Sequence, residues 1–255
     1  MIRVQEMSSH QGCRPRRRRG GPEAPGARVA RPWLAVLAGL LILPGVARAQ
    51  QQPTPEAPGT TLQKVGFDQN LDAQVPLDLP FRDEQGRPVR LGDYFGRRPV
   101  ILTLVYYRCP MLCGLELNGL ARSLKPLTPA IGRDFEVVTV SIDPTETPEL
   151  AAEKKANYMK RYGRDGTEGG WHFLTGEAGS IARLAQAVGF RYTYNPQTKL
   201  YAHAAGLVIL TPGGRIARYF YGIDFPAKDV QGALAEAQAG KVGAPIARLL
   251  LFCYD

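Results

Sequence analysis

The hydrophobic pattern divides the chain into strand-length apolar runs and segments in which apolar residues recur every three or four positions. The densest run, residues 100–107 (VILTLVYY), is rich in β-branched side chains and predicts a strand buried on both faces. It breaks at Cys109-Pro110, and residues 114–124 carry leucines at helical spacing, stopping before Pro126. Residues 134–142 predict a second buried strand, closed by Asp143-Pro144, and Thr147-Pro148-Glu149 then opens a helix reaching about Tyr162. Further on, residues 171–176 predict a short strand and residues 180–188 a helix. Residues 206–211 and 215–222 form a hairpin across Pro212-Gly213-Gly214, and residues 226–239 a last amphipathic helix. Upstream, residues 70–79 alternate as a half-buried strand would, and residues 81–91 predict a hairpin turning near Gln85-Gly86. No internal repeat is present.

A β-hairpin, strand–helix alternation and a closing antiparallel pair with its helix make an α/β protein of thioredoxin-like layout, a central mixed sheet flanked by helices with an added N-terminal β-hairpin. Cys109 and Cys113 sit where the buried strand turns into the first core helix, which is where that layout keeps its chemistry. Free backbone N–H groups and the positive end of a helix dipole favour thiolate there. Thiols four apart also share one face of a helical turn, close enough to close a disulfide or to share a metal.

Composition changes the picture in one respect. The net charge of +9 suggests a nucleic-acid partner until it is located: residues 1–49 hold nine arginines and two acidic residues, so +7 of it lies there. The rest is nearly neutral, and the nucleic-acid reading falls away. Residues 1–49 instead have the form of a signal peptide, with arginines at 14 and 16–19, an apolar core at 33–43, and Ala47-Arg48-Ala49 at the cleavage position. The apolar core is shorter than the roughly 20 residues that span a bilayer; the rival is an uncleaved N-terminal anchor. Residues 50–69 read as a flexible linker, 70–240 as the folded domain and 241–255 as a C-terminal tail. Cleavage leaves Cys109, Cys113 and Cys253, an odd number of thiols that argues against a simple disulfide scaffold in an oxidising compartment. Cys253 lies in an apolar stretch, read either as a docked terminal strand or as part of a longer protein.

The sequence resembles the Sco/SenC family of copper-binding, thioredoxin-like proteins. The resemblance rests on Cys109-Pro110-Met111-Leu112-Cys113 after an apolar strand, Ser141-Ile142-Asp143-Pro144 with Thr147-Pro148-Glu149, residues 171–176, and His203 just before the strand at 206. It covers roughly residues 70–239. The family assembles the copper A centre of cytochrome c oxidase, and its metal ligands correspond here to Cys109, Cys113 and His203. The resemblance therefore implies a copper cofactor, as Cu(I) or Cu(II). It implies an exported protein, periplasmic or on the outer face of the inner membrane, whose partner is the oxidase subunit carrying copper A, with other periplasmic copper carriers as further partners. Two positions depart from the family: Met111 stands where an acidic residue is common, and Ala202 where an Asp precedes the histidine. Two thiolates and one imidazole are a soft donor set suited to Cu(I), whereas zinc asks for a fourth ligand.

Other readings stand beside this one. The cysteine pair alone serves a thiol–disulfide oxidoreductase or a thioredoxin-like peroxidase without metal, with Cys109 and Cys113 as the redox pair; a copper sensor or store would share the ligands. His203 taken alone reads as a core histidine, His172 as structural, Asp143 as a turn former, and Tyr106 and Tyr107 as packing around the site. Met111 reads as a partly buried apolar contact, with a copper-binding thioether as its alternative. Export makes one prediction: N-terminal sequencing of the protein from the exported fraction finds Gln50, whereas a membrane-bound species retaining Trp33 would identify an anchor.

Overall fold

The apolar run at residues 100–107 becomes the middle strand of the molecule. The structure is a computed structural model and describes residues 64–245; the leader, residues 50–63 of the linker and Cys253 lie outside the described residues. In chain order the elements are β1 (Gly66–Phe67), β2 (Pro80–Arg82), β3 (Pro88–Arg90), a 3-10 turn (Leu91–Tyr94), β4 (Val100–Val105), α1 (Leu112–Leu124), β5 (Glu136–Ser141), α2 (Pro148–Tyr162), β6 (Trp171–Leu174), α3 (Ala178–Ala187), β7 (Phe190–Asn195), β8 (Leu200–His203), β9 (Gly206–Leu210), β10 (Ile216–Tyr221) and α4 (Ala227–Gln238).

Five strands form the main sheet in the order β10-β9-β4-β5-β6. β4 pairs parallel with β5, and β5 with β6, through crossovers that contain α1 and α2. On its other side β4 pairs antiparallel with β9, with Thr103 opposite Leu207, and β10 closes that edge. All six residues of β4 and all five of β9 are buried, as strands covered on both faces must be. The polar groups in this core are paired: buried Thr103 donates to the Thr139 hydroxyl at 3.0 Å, and the Trp171 indole N–H reaches the same oxygen at 3.0 Å. The helix predicted from Thr147 forms as expected: Thr147 Oγ1 accepts from the Leu150 N–H, Pro148 is its first residue, and Gly163 ends it at φ +63°.

Four differences from the sequence pattern have physical reasons. Residues 70–79 form no strand. Val75 and Leu79 are buried and produce the alternation, but Asp72 turns the chain at φ +68°, Pro76 has no N–H to donate, and only a single bridge, Gln74 to Arg215, is made. Packing begins inside the stretch read as linker: β1 pairs with β7, and Phe67 lies 5.1 Å from the Phe190 ring. β4 ends at Val105, two residues early, because the next two N–H groups bond side chains instead of a strand, that of Tyr106 the Cys113 sulfur and that of Tyr107 the Glu146 carboxylate. Finally, β7 and β8 form an antiparallel hairpin, with Tyr192 opposite His203, that the sequence reading did not identify. Its residues are mostly half-buried, so no apolar run marks it, although Phe190, Tyr192 and Tyr194 alternate as a strand's would.

α1 approaches the segment after β10 so closely that a Cβ on Gly119 would lie 1.8 Å from the Ile223 carbonyl oxygen. Gly119→Ala therefore sets a gain in helix propensity of about 1 kcal/mol against a larger overpacking penalty. The expected net effect is a loss of roughly 1–2 kcal/mol, seen as a lower urea midpoint at unchanged m-value.

Candidate metal centre

The turn after β4 is set by a carboxylate. Glu146, buried in the loop between β5 and α2, accepts the Tyr107 and Arg108 N–H groups at 2.7 Å each and the Ser141 hydroxyl at 2.6 Å. Burial raises its pKa, against which these donors work. Tyr107 points into the core, donating through its hydroxyl to the carbonyls of Leu174 at 2.7 Å and Thr139 at 3.1 Å. Cys109 follows in a turn whose N–H bonds the Tyr106 carbonyl, and α1 then carries Cys113 in its first turn.

His203 reaches the thiols from the opposite direction. It is the last residue of β8, not part of a loop, and is fully buried, with the rings of Tyr106 and Phe190 at 5.8 and 6.1 Å. Its Nδ1 lies 3.0 Å from the Ala204 carbonyl, a contact that requires a proton on Nδ1. Nε2 is then the lone-pair nitrogen, and it lies 3.1 Å from Cys113 Sγ. Cys109 Sγ, Cys113 Sγ and a His203 nitrogen all fall within 4.8 Å of one another, the span over which one ion bonds all three. The fixed tautomer is the one a ligating imidazole needs.

The two thiols are unequal. Cys109 is half-buried, and its pKa is held well below the usual range, first by the Cys113 side chain and then by His203 and the N–H groups of Cys113 and Met111, against the opposing effect of burial. Cys113 is buried beside the Cys109 sulfur, and burial pushes its thiol up. The half-buried sulfur is thus the one biased toward thiolate, and the buried one the one biased toward thiol.

His172 stays away from this group: its Nε2 is 3.2 Å from Glu136 and its ring 4.2 Å from that of Tyr94, as a structural histidine would be. Asp143 caps its own turn through the Thr145 N–H at 2.9 Å. Met111 departs from its reading as a partly buried contact, being 52% exposed at the N-cap of α1. A thioether cannot cap, so the helix forgoes about 1 kcal/mol that Ser or Asp would contribute there.

Two residues of the site escaped the sequence reading. Glu146 lies in a Pro-Thr-Glu-Thr-Pro run that reads as a solvated turn, and nothing local marks it as buried. Glu116, one turn along α1 from Cys113, occupies an apolar-face position; it is fully buried, and neither carboxyl oxygen has a hydrogen-bond partner of normal geometry. Burial holds its pKa well above the usual carboxyl value, with only partial relief from the Gly206 amide and a further push from Cys109.

The mixed sheet, flanking helices and a thiol pair opening the first core helix define a thioredoxin-like protein. The particular branch follows from comparison: the SCO1/SenC family model matches residues 69–237, more than half the chain, and the chain belongs to that family. No curated protein matches it by sequence. Among solved structures it is similar to a candidate electron transfer protein from Aquifex aeolicus VF5 (28% identity, TM-score 0.58, covering 68% of this chain and 96% of the other). It is also similar in fold to BsSco (20%, 0.54, 70% and 99%) and yeast Sco1 (17%, 0.52, 66% and 99%).

Glu116 makes a prediction for pH. A carboxyl whose pKa is raised on folding contributes stability that is full below its unfolded value, near 4.5, and is lost as pH rises toward its folded pKa. The Glu116 contribution to the urea midpoint should therefore fall as pH rises above about 4.5, against the opposite slope that the lowered Cys109 thiol gives over the same range. Glu116→Gln should flatten that fall and be the more stable protein at pH 7.

Proposed function

We propose that this protein is an exported copper-binding assembly factor for a cytochrome c oxidase, holding Cu(I) on Cys109, Cys113 and His203. It delivers the ion to the oxidase subunit that carries the copper A site. The observation that carries the reading is the soft two-thiol, one-imidazole group gathered within 4.8 Å, with the Nε2 lone pair turned toward the sulfurs. Related proteins support it: Arabidopsis thaliana ScoI and yeast Sco1 are known with copper bound, and BsSco is described as a member of the Sco family of cytochrome c oxidase assembly proteins. Copper bound there would have two of its three ligands buried, Cys113 and His203, and the third, Cys109, half-buried. That arrangement shields the ion from water while leaving one ligand accessible for exchange. Work in an exported compartment follows from the leader and is part of the same proposal.

A second reading, reduction of the client's cysteines, draws on the inequality of the two sulfurs. Cys109 as accessible thiolate and Cys113 as protected thiol match an attacking and a resolving cysteine. BsSco is described with a disulfide switch.

His203 separates the two. The reduced protein is expected to take up one Cu(I) in competition with a chelator, to lose it in Cys109→Ser or Cys113→Ser, and to bind roughly 10-fold more weakly in His203→Ala, where the thiolates remain. In copper-poor cells His203→Ala should lower the yield of copper A oxidase while leaving reduction of a model disulfide largely intact. The opposite pattern, with reduction lost and copper-dependent assembly kept, would overturn delivery.

A further inference from the structure

Exposure rises in steps across the centre. His203 is fully buried, Cys113 is 3% exposed, Cys109 is half-buried and Met111 is 52% exposed. An ion or an acceptor arriving from solvent therefore meets Met111 and Cys109 first, and cannot meet His203 before either. Among the described residues the exposed large apolar side chains are Met111, Leu115, Tyr194 and Val242, and Met111 alone carries sulfur.

Met111 also occupies a position that a methionine serves badly. It is the N-cap of α1, at φ −137° and ψ −85°, and no side-chain bond caps the helix. It is half exposed and lies outside the packed core, and it lends nothing to the helix terminus. Its placement nevertheless suits a soft metal. One residue, Pro110, separates it from Cys109 and one, Leu112, from Cys113, so its Cα lies within about 7 Å of each. Its side chain is unbranched with three free torsions. A thioether binds Cu(I) in preference to harder ions, and it is neutral, so it can bind or leave without moving a proton.

We propose that Met111 is the exchange ligand of the centre, the sulfur that first accepts Cu(I) from a donor and last holds it before an acceptor. The inference rests on the copper reading above. In the outgoing step the bond from copper to His203 Nε2 breaks as a bond to the Met111 sulfur forms. Copper remains Cu(I), the two thiolates keep their charge, and no proton or electron is transferred. The ion then lies on the solvent side of Cys109, where an incoming thiolate replaces the sulfurs one at a time. Because Met111 lowers the barrier in both directions, it changes the rate of transfer and not the affinity.

The test compares the full-length protein with Met111→Leu, which keeps size and apolar character and removes only the sulfur. Stopped-flow transfer of Cu(I) to bicinchoninate, a small chelator that needs no docking surface, is expected to slow about 10-fold, with the equilibrium constant unchanged within a factor of two. In protein labelled at the methionine methyl carbons, the Met111 resonance should shift or broaden on adding one equivalent of Cu(I), while that of half-buried Met159 in α2 stays in place. Transfer at the wild-type rate in Met111→Leu would overturn the proposal and leave Met111 as an apolar contact for a protein partner. A protein that binds no Cu(I), with the double cysteine variant indistinguishable from wild type, would instead remove the copper reading itself and this inference with it.

Discussion

The centre depends on the antiparallel pairing of β4 with β9. Cys113 and His203 are 90 residues apart, and no local contact brings them together. β9 begins three residues after His203, and its register, Val100 opposite Leu210 through Thr103 opposite Leu207, delivers the imidazole to the end of the sheet where β4 presents the cysteines. A slip of two residues would preserve every inward-facing side chain and move His203 by about 7 Å, out of bonding range. Register is held because β4 and β9 are buried on both faces and because Tyr192 opposite His203 fixes the histidine a second time, from the β7–β8 hairpin.

What was legible in the sequence follows from what leaves a local trace. The buried strands, the Thr147-Pro148 helix start and the Pro212-Gly213-Gly214 hairpin are written in runs of a few residues, and each forms close to its expected place. The cysteine pair is legible because four-residue spacing at a strand–helix junction is itself local. His203 has no such trace: Ala202-His203-Ala204-Ala205 reads as an apolar stretch with one odd residue, and only the family pattern marked it. The β7–β8 hairpin failed for the converse reason. Its strands are half-covered by tyrosines, so burial there comes from ring contacts such as Tyr194 with Tyr201 at 5.0 Å and not from an aliphatic run.

The carboxylates show the same division. Glu146 is satisfied by two adjacent backbone donors after β4 and a hydroxyl at the end of β5, two separate stretches of chain, so its role exists only in three dimensions. Glu116 is the reverse, a buried carboxyl with no partner of normal geometry next to two thiols. An orphaned polar group of this kind destabilises a fold by about 1–3 kcal/mol, and such departures from good packing concentrate where a protein acts.

The clamp formed by Glu146 also has a mechanical meaning. Upstream of the cysteines the backbone is held through Arg108, and downstream Cys113 is built into a 13-residue helix whose next turns are buried against the sheet. Any change in the distance between the two sulfurs must then be absorbed between these fixed ends, by Cys109, Pro110, Met111 and Leu112. Pro110 has a locked φ and contributes little rotation, so the torsions of Cys109 and Met111 are the hinge. A molecule built this way can exchange cargo or change the state of its sulfurs by moving a few atoms, with the sheet beneath remaining still.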